Sequence, residues 1–132
     1  MLIFDGHCDS LSSPVSGECS LNVRDCRRQL DFAGALGQIA IQSMAVFVDK
    51  VRREEIVFAD FLSLRERLLQ AVADNAQVKL ITSAEDLRSQ QEGSLGVLLT
   101  VEGAEVMEGD LANLERLYAL GVRSLTLTWN ND

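Results

Sequence analysis

The sequence predicts an α/β fold built on a parallel sheet, because strand-like and helix-like stretches alternate along its 132 residues. Three observations carry this expectation. Residues 38–48 and 95–101 are nearly continuous apolar runs, the pattern of strands covered on both faces. Residues 54–74 switch to helical spacing. Glycines and capping residues fall between the runs, where the chain must turn.

Taken in order, residues 2–4 form a first strand that leads into His7 and Asp9. Residues 10–18 are rich in serine and hold the single proline, Pro14, so they read as a loop. Residues 22–32 read as a short helix carrying Arg24, Arg27 and Arg28, a solvated basic face rather than an anion site. Gly34 and Gly37 break the chain before the strand at 38–48. In the helix at 54–74, Ile56, Phe61, Leu64, Leu68 and Val72 recur on one side, with Arg and Glu opposite, which is a core-packing stripe.

Residues 78–81 form a brief extended piece. Thr82 or Ser83 then offers an N-cap, with Glu85 and Asp86 in the first turn, where negative charge suits the helix dipole. After the strand at 95–101, Asp110 caps a helix on which Leu111, Leu114, Leu117 and Tyr118 are expected to share a face. Gly121 ends that helix at the usual left-handed position. Residues 122–129 set Ser124, Thr126 and Thr128 against Leu125, Leu127 and Trp129, the alternation of a strand. About four parallel strands result, joined by right-handed crossovers. A closed eight-stranded barrel takes roughly 250 residues, and this chain stops three residues after a strand.

Composition narrows the function classes. Apolar content of 47% and charged content of 24% describe an ordinary globular chain in one domain. No run approaches the ~18 apolar residues of a membrane span. The start, Met1-Leu2-Ile3-Phe4-Asp5, has no basic segment and does not read as a secretory signal. A net charge of −8 speaks against nucleic acid as a partner. Cys8, Cys19 and Cys26 form no CxxC pair and no even set, so reduced thiols and a cytoplasmic location are expected. Cys26 as a nucleophile lacks a base, since His7 is the single histidine.

The candidate chemistry lies at two strand ends. Side chains two apart on a strand point the same way, so His7 and Asp9 can reach one metal ion while Cys8 faces away. Glu102 closes the strand at 95–101 and can bring a second carboxylate to the same place. Glycines stand beside both, Gly6 and Gly103. An imidazole with two carboxylates suits zinc, and the C-terminal ends of parallel strands are where α/β folds place their sites.

Longer stretches carry a family resemblance. Val101-Glu102-Gly103-Ala104-Glu105, Gly109-Asp110-Leu111, Leu120-Gly121-Val122-Arg123 and Leu125-Thr126-Leu127-Thr128-Trp129-Asn130 closely resemble the membrane (renal) dipeptidase family of zinc peptidases. Phe4-Asp5-Gly6-His7-Cys8-Asp9-Ser10-Leu11 is similar to that family's opening strand. The segment 37–48, with Gln42, resembles its second strand, and Ser83-Ala84-Glu85-Asp86-Leu87 resembles a recurring helix start. The resemblance implies a partial (β/α)8 TIM-type barrel of the amidohydrolase kind, with residues 1–132 forming its N-terminal half as a fragment or truncated chain.

It further implies a site of two zinc ions. His7 and Asp9 would ligate the first, and Glu102, the catalytic carboxylate, would bridge the pair. A hydroxide between the metals would attack the peptide carbonyl of a dipeptide substrate. Two features depart from the family's pattern. The second zinc is held there by two histidines from later strands, which this chain lacks, so 132 residues alone are expected to be inactive. Trp129 stands where renal-type members carry a substrate-binding histidine, and is expected to contact substrate. Two alternatives stay open: an amidohydrolase acting on another amide or ester, against which Asp9 stands where His-x-His is usual, and a non-catalytic half-barrel. Unpaired sheet edges and exposed apolar surface make a homo-oligomer the expectation unless a C-terminal half covers them.

Overall fold

The computed structural model describes residues 3–12, 20–24, 27–48 and 57–128. Five strands form one all-parallel sheet: β1 (Phe4–Asp5), β2 (Ile41–Phe47), β3 (Val78–Leu80), β4 (Leu95–Glu102) and β5 (Val122–Thr126). Between them lie helices α1 (Phe32–Ala35), α2 (Val57–Ala73), α3 (Ala84–Arg88) and α4 (Ala112–Ala119), with a 3-10 turn at Ala104–Met107.

β4 is the organising strand. β2 runs along one of its edges from Ile41 opposite Gly96 to Phe47 opposite Glu102. Its other edge is shared end to end, with β3 pairing Leu95 to Val97 and β5 pairing Leu99 to Glu102. At the handover the register slips between Leu99 and Thr100, leaving Arg123 as an extra residue on β5. The Arg123 guanidinium donates to the carbonyls of Thr82 (2.6 Å) and Tyr118 (2.8 Å) and lies 4.1 Å over the Tyr118 ring. One side chain thereby bridges the end of β3, α4 and β5.

The sequence expectation of about four parallel strands thus becomes five, because the brief extended piece at 78–81 joins the sheet. The strand positions otherwise match. The chief difference is at 22–32, where the expected helix is absent from the described residues and only α1 is helical. Asp31 is extended and its carboxylate accepts the Gly34 N–H (2.7 Å), so a helix begins where one was expected to end. Nor is the arginine patch wholly solvated. Arg24 and Arg27 are exposed, but Arg28 is buried and donates to the Ser20 carbonyl (2.9 Å).

The core lies between the sheet and its helices. Met44 and Val46 of β2, Val97, Leu99 and Val101 of β4, and Phe61 and Leu68 of α2 are all buried there. The alternation within each strand leaves Ser43, Ala45, Leu98, Thr100 and Ser124 on the opposite face, around an open cleft of about 230 Å³. Ser83 caps α3 as expected, its hydroxyl accepting the Asp86 N–H (3.1 Å). In return the Asp86 carboxylate accepts from the Thr82 N–H and both neighbouring hydroxyls, which holds it far below the usual carboxylate range.

α4 corrects a second expectation. Leu117 and Asn113 are buried, while Leu111, Leu114 and Tyr118 are exposed. Asn113 donates to the Met107 carbonyl (2.9 Å), so the 3-10 turn meets the side of the helix that Asn113 and Leu117 share, and the rest of the expected stripe faces outward. Asp110, just before the helix, accepts the Ala112 N–H (2.9 Å). Gly121 has φ +100, the left-handed geometry expected of it. Among the described residues no helix is long and apolar enough to cross a membrane.

Candidate metal centre

β1 ends at Asp5, but its line continues: the Ala45 N–H bonds the Cys8 carbonyl at 2.9 Å, so the chain stays extended against β2. Alternation then acts as the sequence implied. Cys8 is buried towards the helices, while His7 and Asp9 emerge together on the cleft side, their side chains 48% and 42% exposed. Glu102 is the last residue of β4, two strands away from β1 across β2, and its side chain is 20% exposed.

These three converge. His7 Nε2 lies 3.1 Å from Asp9 Oδ1 and 3.7 Å from Glu102 Oε2, and one donor atom from each residue falls within 4.8 Å of the others. Zinc with bonds of about 2.0–2.2 Å in tetrahedral geometry needs ligand atoms roughly 3.4 Å apart. The two shorter separations bracket that value, so the donor set suits a divalent cation of this kind. Electrostatics point the same way. Partial burial, the first cause, pushes the Glu102 carboxyl above its ordinary value; His7 opposes this, and the Asp9 carboxylate adds to it. Two acids crowded in a half-buried place favour a positive charge between them.

Several residues that the sequence did not single out hold this arrangement. The Gln29 side-chain oxygen accepts the Asp9 N–H (3.2 Å), and Asp5 accepts the His7 N–H (3.2 Å). The Ser12 hydroxyl accepts the Phe47 N–H (2.8 Å) and donates to the Ala45 carbonyl (3.2 Å), tying the loop after Asp9 to β2. Thr126 accepts the Gly103 N–H (2.9 Å). Thr126 was visible as one of an alternating set of hydroxyls; Gln29 and Ser12 gave no signal, since loop residues have no period to read. Trp129 lies outside the described residues.

Gly103 is favoured where it stands by its backbone geometry. Its φ of +90 suits glycine, and a Cβ there would collide with the Glu105 carboxylate.

The membrane dipeptidase family (peptidase family M19) matches the chain over residues 1–132. The chain belongs to this family. Its members are metal-using dipeptidases, which agrees with the resemblance read from the Glu102 segment. Human Dipeptidase 3 is 44% identical over 57 residues, covering 43% of this chain and 11% of that protein. An uncharacterised dipeptidase of Schizosaccharomyces pombe is 28% identical over 109 residues, covering 73% of this chain and 26% of that protein.

Among solved structures, the M19 metallopeptidase dipeptidase AC superposes on 99% of this chain and 44% of its own, with a TM-score of 0.76 at 24% identity. A metallopeptidase from Rhodobacter sphaeroides, liganded with a phosphinate mimic of the dipeptide L-Ala-D-Ala, covers 100% of this chain and 46% of its own, with a TM-score of 0.75 at 22% identity. The fold is therefore that of a partial (β/α)8 barrel. The chain spans less than half the length of these solved structures, and about a quarter or less of these curated relatives.

Proposed function

We propose that this chain supplies the first-metal half of a zinc-dependent dipeptidase site. The convergence of His7, Asp9 and Glu102 carries the reading. As a metal ligand His7 would offer its Nε2 lone pair, with the ring proton on Nδ1. Asp9 contributes one carboxylate oxygen beside it. Glu102 brings Oε2 towards His7, and as a carboxylate it has a second oxygen with which it would reach a neighbouring ion. Zinc, when bound, supplies an acidified water as the nucleophile and a Lewis acid for the carbonyl oxygen. The chain's own residues fix the position of that chemistry at the cleft mouth; burial and Asp9 hold the Glu102 carboxyl above its ordinary value, and the charge of a bound cation would favour its ionised form.

The substrate is a dipeptide. The family assignment and the phosphinate mimic held by the Rhodobacter sphaeroides relative support this, and a cleft of about 230 Å³ suits a small molecule. With His7 as the single histidine, a second zinc would find no further imidazole within these 132 residues, so this chain by itself is expected not to turn over. Zinc titration by calorimetry tests the site, and hydrolysis of L-Ala-D-Ala tests its completeness. His7→Ala is expected to weaken binding at least about 10-fold. Equal binding by His7→Ala would refute the site, and turnover by the 132-residue chain would refute the division.

A second reading rests on one observation. Phe4 is 61% exposed on the cleft face of the sheet, where barrel interiors are filled. Apolar surface of this kind favours self-association of the isolated chain. Sedimentation tests it: a dimer or larger species is expected, and a monodisperse monomer overturns it.

A further inference from the structure

The strand end that carries Glu102 is held in an unusual way. Thr126 stands opposite Glu102 in the ladder, so the next backbone N–H, that of Gly103, is positioned to bond a strand carbonyl. It bonds the Thr126 side-chain hydroxyl at 2.9 Å, and the chain then leaves the sheet through a φ of +90 at Gly103. Gly103 is buried, so its N–H has no water to fall back on. On the other side, the Glu105 carboxylate fills the space a Cβ would take.

The Gly103 N–H and the Glu102 carbonyl belong to one planar peptide unit. Fixing the N–H therefore fixes the plane, hence the Glu102 backbone torsion and the direction in which its side chain leaves the strand. As a β-branched residue on a strand, Thr126 holds its hydroxyl in few rotamers. We propose that Thr126 is a positioning residue: through the Gly103 N–H it aims the Glu102 carboxylate at the ion shared with His7 and Asp9. This rests on the metal-site reading above. The hydroxyl touches the backbone beside a ligand, not substrate, so its effect appears first in metal affinity.

Thr126→Val removes the acceptor and keeps the shape, while Thr126→Ser keeps the acceptor. Zinc affinity is read by calorimetry on the 132-residue chain, and melting temperature on the metal-free protein. Loss of a supporting contact of this type weakens metal binding by about 10–100-fold, so Thr126→Val is expected to bind at least roughly 10-fold more weakly and Thr126→Ser within roughly 3-fold of the parent. A merely structural role would lower the metal-free melting temperature of Thr126→Val and leave its zinc affinity intact, which overturns the proposal. Equal weakening by Thr126→Ser also overturns it, because the hydroxyl would not be the cause. A parent that binds no zinc ends the metal-site reading and this one with it; a parent that binds while Thr126→Val binds equally ends this one alone. Should Thr126→Val not fold, amide exchange of the parent decides: a protected Gly103 N–H that shifts on zinc addition supports the assignment, and one exchanging at an open-loop rate refutes it.

Discussion

Glu102→Gln separates what this carboxylate does for function from what it costs the fold. The Asp9 and Glu102 donor oxygens lie within 4.8 Å of each other. Two unit charges at that distance repel by about 3.5 kcal/mol at an effective dielectric near 20, and by about 0.9 kcal/mol in bulk water. Asp9 is 42% exposed, so the lower end governs, and His7 offsets part of it. Removing the charge while keeping the shape is expected to stabilise the metal-free chain by about 0.5 kcal/mol at neutral pH. The pH dependence follows from the raised carboxyl. Folded Glu102 keeps a proton that the unfolded chain has already shed, so metal-free stability falls as pH rises from the ordinary carboxylate value through the folded one. Glu102→Gln removes that fall, and its advantage vanishes in acid. Urea unfolding of chelator-treated protein at several pH values measures the effect, and zinc should raise the melting temperature of the parent far more than that of Glu102→Gln. A variant less stable than the parent at neutral pH, or one stabilised equally by zinc, would refute the reasoning.

Gly103→Ala must accept a φ of +90 and displace the Glu105 carboxylate, and is expected to cost about 1–3 kcal/mol in denaturant unfolding along with weaker zinc binding. Phe61→Ala empties a fully buried site in the core, packed 5.7 Å from the Phe58 ring, and should cost about 3–5 kcal/mol while leaving the folded protein's zinc affinity near that of the parent. The depressed Asp86 carboxyl stabilises the fold above the ordinary carboxylate range and loses that contribution as pH falls towards its folded value. Asp86→Asn is accordingly expected to lower the melting temperature at neutral pH and to differ little from the parent in strong acid.

Much of the site was legible before any coordinates. The alternation of a strand is local, so His7 and Asp9 facing one way and Cys8 the other followed from spacing alone, as did Ser83 at an N-cap and Gly121 at a helix end. The segment around Glu102 was distinctive enough to indicate the family. Less was legible where long-range contacts decide. Residues 22–32 have helical composition, yet the described ones among them before Phe32 are not helical, with Asp31 capping α1 and Arg28 bonding the Ser20 carbonyl. The apolar stripe on α4 predicted a buried face, but only Leu117 of it is buried, beside Asn113, which bonds the Met107 carbonyl, while Leu111, Leu114 and Tyr118 are exposed.

The sequence by itself determined the order of strands and helices, the pairing of His7 with Asp9, and a carboxylate at the end of β4, because each depends on neighbours a few residues away. Only the tertiary structure decided that β2 separates β1 from β4 by a distance that lets Glu102 reach His7, and that β3 and β5 share one edge of β4. It also decided that Gln29, Ser12 and Thr126 bond the backbone beside His7, Asp9 and Glu102. Those contacts join residues 20 to 35 positions apart, and hydrogen bonds of that reach exist only once the sheet has brought their partners together.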